Sequence, residues 1–280
     1  MKIGFIGLGR MGFSIVLNLH DKKIPVVAYN RSKGPVREIK KHRVEVAFSI
    51  EELISKLPKQ KIIWLMVTAG KPVDSIIQEL LPYLNKGDII IDGGNSFYKD
   101  SIRRYKKLKK KKIGFIDIGT SGGLKGARHG ACLTIGGDKK VFKKIEWLCR
   151  AAATKNGYAY VGNAGSGHFV KMVHNGIEYA LLQAYGDGFE LLFRGPYKNL
   201  DLRKISKTWQ NGSVIRGWLV ELAENAFRKD AKLNKIKGIL GGGETGQWAV
   251  NTAKEFKVPF ESIKLALKLR KKSRKYPSFS

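Results

Sequence analysis

Six residues near the N-terminus restrict this chain more than any other feature: Gly7-Leu8-Gly9-Arg10-Met11-Gly12. They follow a short apolar run over residues 2–6 and open a helical pattern over residues 11–19. A strand that turns at once into a helix needs each glycine for a different reason. The first permits the tight turn, the second lets backbone approach a pyrophosphate, and the third lets helix pack close to strand. The helix N-terminus then offers N–H groups and the positive end of its dipole to phosphates. A lone pattern of this kind is weak, but here it lies between a strand and a helix, with a second strand at the proper distance. It predicts a dinucleotide site.

Strand and helix signals alternate through about residue 163. Further strands are expected over residues 26–29, 62–67, 89–92 and 113–118, and helices over 73–84 and 98–110. Ser49-Ile50-Glu51-Glu52 has the form of a capping box that opens a short helix. Such alternation implies a mostly parallel sheet with helices on both faces. From Ser166 onward helical periodicity takes over. The expected fold class is therefore α/β: a Rossmann-type doubly wound sheet over 1–164, then an all-α domain over 165–280 for substrate and oligomerisation. A length of 280 residues suits two domains.

Apolar residues make up 43% of the chain, enough for a folded core. No run approaches the roughly 20 apolar residues of a membrane span, and the N-terminus reads as a strand, not a signal peptide. Cys132 and Cys149 lack metal-ligand spacing, so no metal is expected and a reducing cytoplasm fits. The net charge of +30 would attract polyanions, which raises nucleic acid as a partner. The excess is spread along the chain, is mostly lysine, and is not interleaved with stacking aromatics in one segment. It reads as compositional bias on solvated positions, and nucleic acid is not the expected partner. The densest run, KKLKKKK over 106–112, reads as an exposed helix end whose lysines complement the helix dipole.

The end of the second strand bears on which dinucleotide binds. An acid there usually holds the ribose 2′-hydroxyl of NAD. This chain has Tyr29-Asn30-Arg31-Ser32 instead. Arg31 can pair with a 2′-phosphate through its planar fork, Ser32 can add a hydroxyl, and Asn30 carries no charge to repel it. NADP is expected, with NAD the lesser candidate.

The segment Gly165-Ser-Gly-His-Phe-Val-Lys171-Met-Val-His174-Asn175-Gly-Ile-Glu178-Tyr179 carries the most chemistry. Lys171, His174, Asn175 and Glu178 stand at i, i+3, i+4 and i+7, one stripe of a helix. Val173, Ile177, Ala180, Leu181 and Ala184 form an opposite, apolar stripe, which is expected to pack. The polar stripe is either a solvated face with a Lys–Glu pair two turns apart, or a site. Its place just after a nucleotide-binding unit favours a site. Farther along, Leu181, Leu182, Phe189, Leu191 and Leu192 offer more apolar surface than one domain face covers, so a homodimer or homotetramer is expected.

The segment GSGHFVKMVHNGIEYALLQAYGDGFELL closely resembles the active-site helix of 6-phosphogluconate dehydrogenases. So do GLGRMG, the loop Val67-Thr68-Ala69-Gly70, the segment Asp92-Gly-Gly-Asn95-Ser-Phe-Tyr98, and Gly119-Thr-Ser121-Gly122-Gly123-Leu-Lys-Gly126. The likeness runs along nearly the whole chain. Related β-hydroxyacid dehydrogenases share the glycine loop and the helix lysine but usually follow that lysine with an asparagine pair, so His174, Glu178 and Tyr179 discriminate. The resemblance implies a decarboxylating oxidation of 6-phosphogluconate, a phosphorylated sugar acid, to ribulose 5-phosphate and CO2 with NADP as acceptor. It implies that Lys171 is the base for the sugar's 3-hydroxyl and later, protonated, stabilises an enolate oxygen. Glu178 would protonate C1. A lysine base needs its pKa lowered toward neutral and a glutamic acid donor needs its pKa raised, which burial beneath a bound cofactor can supply. Asn95, Ser121, Gly122, Gly123, His174 and Asn175 match positions that hold the carboxylate and hydroxyls. Tyr179, Thr245 and Arg270 match positions that hold the phosphate. Gly7, Leu8, Gly9, Arg10, Met11, Gly12, Asn30, Arg31, Ser32, Val67, Thr68, Ala69 and Asn95 are the expected cofactor contacts.

Two departures stand out. The long type of this family carries a C-terminal tail that enters the partner's active site, whereas this sequence stops at Ser280 and resembles the short bacterial type. The long type also has a lysine where Gly243 stands, two positions before Thr245; Lys264, Lys268, Lys271 or Arg274 are candidates to compensate. The alternatives are another β-hydroxyacid dehydrogenase acting on a smaller unphosphorylated acid, a basic nucleic-acid-binding protein, and an inactive relative. Against the last, every matched chemical residue is present.

Overall fold

The computed structural model describes residues 1–235 and 238–275. The chain forms two compact units, Met1–Met172 and the residues from Val173 onward. The first unit runs β1 (Ile3–Ile6), α1 (Arg10–Asp21), β2 (Val26–Tyr29), α2 (Lys33–Lys40), β3 (Glu45–Ala47), α3 (Ile50–Ser55), β4 (Ile62–Leu65), α4 (Lys71–Leu80), β5 (Ile89–Asp92), α5 (Tyr98–Lys110), β6 (Gly114–Ser121), α6 (Gly123–His129), β7 (Ala131–Gly137), α7 (Lys139–Ala152) and β8 (Ala153–Gly162). The strands form one sheet in the order β3-β2-β1-β4-β5-β6-β7-β8. The order reverses between β1 and β4, the switch point at which a doubly wound sheet opens a crevice for ligands.

Alternating side chains of the strands divide the core between the two faces of the sheet. Ile3, Phe5, Ile62, Trp64, Ile89 and Ile91 pack on one face with Ile15, Leu19 and Ile145. Ile6, Ile63, Leu65 and Ile90 pack on the other with Leu53, Ile77 and Leu108. This is the expected sheet with helices on both faces. All pairings are parallel except β6 with β7. Residues 122–130 are too few for a parallel crossover, which takes a dozen or more, so β7 returns antiparallel.

Local signals explain the element ends. Ser49 Oγ accepts from the Glu52 N–H at 3.0 Å while Glu52 accepts from the Phe48 N–H at 2.7 Å, so the two side chains cap α3 reciprocally. The helix expected over 73–84 stops at Leu80 and tightens into a short 3-10 turn, Leu81–Tyr83, that contains Pro82, whose ring and missing N–H break an α-helix.

A long helix, α8 (Ser166–Arg194), begins in the first unit and continues into the second. The second unit adds α9 (Leu202–Gln210), α10 (Trp218–Lys229), α11 (Glu244–Glu255) and α12 (Glu261–Lys272). Phe189, Leu202 and Phe227 form its buried aromatic-rich cluster, with Leu192 and Trp209 packed against them. Among the described residues no helix is long and apolar enough to cross a membrane.

The apolar stripe on α8 does not pack as expected. Ile177 and Leu181 are 51% and 46% exposed. The polar stripe is the buried one in part: Lys171 is 9% and Asn175 7% exposed. Periodicity separates two faces of a helix but does not say which faces the protein. Two of the residues offered as interface candidates, Phe189 and Leu192, also turn inward to the second unit's own cluster.

Candidate active site

The glycine turn has the geometry its sequence requires. Gly7 has φ +107°, and a Cβ there would lie 2.7 Å from the Met66 carbonyl carbon. A Cβ on Gly12 would overlap the Gly7 carbonyl oxygen and lie 3.2 Å from Phe5, so α1 is packed tightly on β1. A Cβ on Gly9 would meet no atom within 4 Å among the described residues. Gly9 is also the N-cap of α1 and provides no capping side chain. The second glycine thus leaves open space at a helix N-terminus, the cradle that a pyrophosphate fits.

Asn30 is committed locally. Its Oδ1 accepts from the Leu8 N–H at 2.9 Å and its Nδ2 donates to the Ser32 carbonyl at 3.1 Å, tying the end of β2 to the glycine turn. Arg31 and Ser32 are exposed beside it. Val67 abuts the turn: its Cγ1 is 3.0 Å from where a Gly7 Cβ would lie. Thr68 is exposed, and Ala69 partly so. Asn95 is exposed between buried Gly94 and Ser96. The Thr120 hydroxyl donates to the Gly93 carbonyl at 3.2 Å, which brings the end of β6 to that loop. Ser121, Gly122 and Gly123 follow, the two glycines at φ +113° and +56°.

The start of α8 is set against β6 and β7. The Asp117 carboxylate accepts from the N–H groups of Gly165 at 2.7 Å and His168 at 3.0 Å, satisfying two of the helix's orphan donors. The Thr134 hydroxyl donates to the Gly167 carbonyl at 3.0 Å. Side chains are excluded where backbones meet. A Cβ on Gly119 would overlap Lys171 Cβ and come within 2.7 Å of the Gly167 carbonyl oxygen. A Cβ on Gly167 would lie 2.6 Å from the Thr134 carbonyl oxygen. Lys171 is thereby seated directly on β6. His168 Nδ1 meets Ser101 Oγ at 2.7 Å in a fully buried contact.

In the second unit, Thr245 is the hub. Its Oγ1 accepts from Asn175 Nδ2 at 3.2 Å and lies 3.1 Å from the Tyr179 hydroxyl. The Arg270 guanidinium sits 4.2 Å from the centre of the Tyr179 ring, a cation–π geometry, and its Nε donates to the Gly241 carbonyl at 2.9 Å. A Cβ on Gly246 would come 2.7 Å from the Tyr179 ring, so this glycine lets the ring lie flat on α11. His174 Nδ1 and Glu178 Oε2 are 3.8 Å apart, both partly exposed. Gly243 caps α11 at φ +113°, a conformation that a lysine would adopt only under strain. A cavity of about 380 Å³ lies beside it, lined by Gly242, Gly243, Glu244, Gln247, Lys271 and Arg274. Lys271 donates to Gln247 at 2.8 Å and Arg274 to the Gly242 carbonyl. Lys264 instead pairs with Glu261 at 3.5 Å, and Lys268 is exposed.

The sequence reading overlooked Asp117, Thr134, Ser101 and Arg104. Arg104 lies on the same helix just before the 106–112 lysine run that reads as an exposed helix end, yet it is 2% exposed. An isolated carboxylate within the apolar strand β6 was the one available hint for Asp117.

Sheet order and glycine turn define a dinucleotide-binding protein of the doubly wound class. Residues 2–162 match the NAD-binding domain of 6-phosphogluconate dehydrogenase and residues 167–277 match the C-terminal domain of 6-phosphogluconate dehydrogenase. A Bacillus subtilis protein provisionally named 6-phosphogluconate dehydrogenase YqeC is 46% identical over 98% of this chain and 91% of its own. A Haloferax volcanii protein named as a decarboxylating, NAD(+)-dependent 6-phosphogluconate dehydrogenase is 44% identical over 100% of this chain and 93% of its own. Among solved structures, Plasmodium falciparum 6-phosphogluconate dehydrogenase, described apo, with NADP+ and with 6-phosphogluconate, superposes with a TM-score of 0.88 at 32% identity. That match covers 98% of this chain but 62% of the Plasmodium chain. The chain belongs to the 6-phosphogluconate dehydrogenase family.

Proposed function

We propose that this protein oxidises and decarboxylates 6-phosphogluconate to ribulose 5-phosphate and CO2 in the cytoplasm, as a step of the pentose phosphate pathway, with NADP as preferred acceptor. Residues 1–164 serve as the dinucleotide-binding domain and 165–280 as the helical substrate and oligomerisation domain. The observation that carries the reading is the seat of Lys171. A buried lysine whose Cβ rests on β6 is followed on the same helix by His174, Asn175 and Glu178, in a chain whose two halves both match one family.

Gly7–Gly12 and Val67–Ala69 would hold the cofactor, and Arg31 and Ser32 would take its 2′-phosphate. No carboxylate at residues 30–32 opposes that phosphate. The chemistry a bound dinucleotide would supply is a hydride acceptor for C3 of the substrate. Lys171 removes the proton of the 3-hydroxyl, which leaves a 3-keto acid. Loss of CO2 places negative charge on the C3 oxygen, and the ammonium of Lys171 stabilises it. Glu178 then delivers a proton to C1 of the enediol. Asn95, Ser121, Gly122, Gly123, His174 and Asn175 hold the carboxylate and hydroxyls. Tyr179, Thr245 and Arg270 hold the phosphate, with Lys271 and Arg274 supplying cationic surface in the adjoining cavity.

The test is absorbance of reduced nicotinamide with purified protein, 6-phosphogluconate and either NADP or NAD, with CO2 and ribulose 5-phosphate measured as products. Reduction with a small unphosphorylated hydroxy acid and none with 6-phosphogluconate would replace this reading.

A further inference from the structure

Arg104 on α5 is a buried cation in a place where sequence suggests a solvated one. Its side chain is 2% exposed and each guanidinium N–H has an acceptor. Nε donates to Asp74 Oδ1 at 2.9 Å. One terminal nitrogen donates to Asp92 Oδ2 at 3.2 Å and Ser96 Oγ at 3.3 Å. The other donates to the Gly70 carbonyl at 3.0 Å and Asp74 Oδ2 at 3.3 Å. Asp92 completes the net by accepting from the Gly94 N–H at 3.2 Å and the Ser96 hydroxyl at 2.8 Å. Burial works against the charge on Asp74, but hydrogen bonds from Arg104 and Arg103 outweigh it and hold its carboxyl below the usual range.

Gly70 and Ser96 lie in two loops, while Asp92 ends β5 and Asp74 sits in the first turn of α4. One, after β4, ends at Gly70, whose φ of +84° and ψ of −137° suit only glycine. The other, after β5, holds Asn95 exposed between Gly94 and Ser96, both buried. The loops also touch directly, since a Cβ on Gly94 would lie 2.9 Å from the Val67 carbonyl oxygen. A buried ion pair is a poor way to gain stability, because apolar replacements of similar volume are often neutral or better. What a guanidinium provides that apolar packing cannot is a fixed fork with five directions.

We infer that Arg104 is a positioning residue that locks the Val67–Gly70 and Gly93–Phe97 loops into one frame, so that both reach the nicotinamide-side half of the dinucleotide together. The inference rests on the assignment of Val67, Thr68, Ala69 and Asn95 to the cofactor. Arg104 touches neither substrate nor cofactor and acts through the two loops.

The experiment measures the dissociation constant of the reduced dinucleotide by its fluorescence, without substrate, and then kcat with 6-phosphogluconate. Arg104→Lys keeps the charge but cannot reach Gly70, Ser96 and both carboxylates at once. Its dinucleotide affinity and kcat should each fall about 10- to 100-fold, the scale of an ångström-sized misplacement. Ser96→Ala removes one link of the net and should weaken dinucleotide binding about three- to tenfold, in the same direction. Arg103→Lys, on the exposed side of Asp74, should bind as wild type does. Dinucleotide affinity and kcat unchanged in Arg104→Lys, or dinucleotide affinity unchanged in Ser96→Ala if Arg104→Lys does not fold, would overturn the inference, whatever the melting temperature. Binding without substrate keeps the two readings apart: a wild type that binds dinucleotide yet ignores 6-phosphogluconate refutes the substrate, not the role of Arg104.

Discussion

Lys171 owes its position to a missing side chain, the absent Cβ of Gly119, on which its own Cβ rests. That contact makes the lysine a fixed group on the sheet while Glu178, two turns on, remains partly exposed. The two should therefore fail differently. Lys171→Met keeps length and apolar body but removes the proposed base for the 3-hydroxyl. It should abolish dinucleotide reduction and leave dinucleotide binding unchanged, as fluorescence titration would show; a normal rate of reduction would sink the assignment. Glu178→Gln removes the proposed proton donor to C1 and should slow turnover by about two to four orders of magnitude. Isotope effects should then place the burden on the last protonation, with oxidation and decarboxylation less impaired. Arg31 decides a third outcome. Arg31→Asp should shift preference from NADP to NAD, because a carboxylate repels the 2′-phosphate and can hold the ribose hydroxyl. Equal kcat/KM of the wild type with both cofactors would contradict the reading of residues 30–32.

The start of α8 depends on Asp117, a carboxylate in mid-sheet that caps a helix from another element. Asp117→Asn retains one acceptor but turns an amide toward N–H donors, so it should destabilise the protein by about 1–3 kcal/mol. It should also lower kcat more than it raises either KM, because the helix start carries Lys171. Thermal unfolding beside steady-state kinetics checks both, and a loss of stability with unchanged kcat would show that the cap is structural alone. This contact marks where sequence reading stops. The short apolar runs at Ile3–Ile6 and Ile89–Asp92, the three glycines of the turn and the Ser49–Glu52 cap are local, and each was legible from neighbouring residues. Asp117 with His168, or Arg104 with Asp74 and Asp92, joins residues that only the fold brings together. The antiparallel return of β7 was equally invisible until the shortness of the 122–130 connection was set against the sheet order. The stripe of Lys171, His174, Asn175 and Glu178 was read at the right spacing, but spacing did not tell that Lys171 and Asn175 are buried within the chain while Ile177 and Leu181 are left exposed.

For the whole molecule, two properties pull in opposite directions. A net charge of +30 makes copies of the chain repel one another. Yet α8 leaves Ile177, Leu181 and Leu191 at 51%, 46% and 71% exposure. Fully burying one such side chain is worth about 1.5–3 kcal/mol, so a few of them on each copy can outweigh repulsion that salt screens over about 8 Å at physiological strength. We expect a homodimer or homotetramer joined through this helix, with a salt dependence opposite to that of a charge-driven complex. Raising salt should leave the assembly intact or tighten it, whereas a nucleic acid held by the same lysines would be released steeply. Replacing Ile177 and Leu181 together with Glu should give a monomer, because each copy then buries two unpaired carboxylates in an apolar contact. Neither residue belongs to the polar stripe, so the folded monomer should still bind dinucleotide. Light scattering at micromolar concentration checks the mass, and a strictly monomeric wild type would show that the exposed face of α8 is not covered by a second copy.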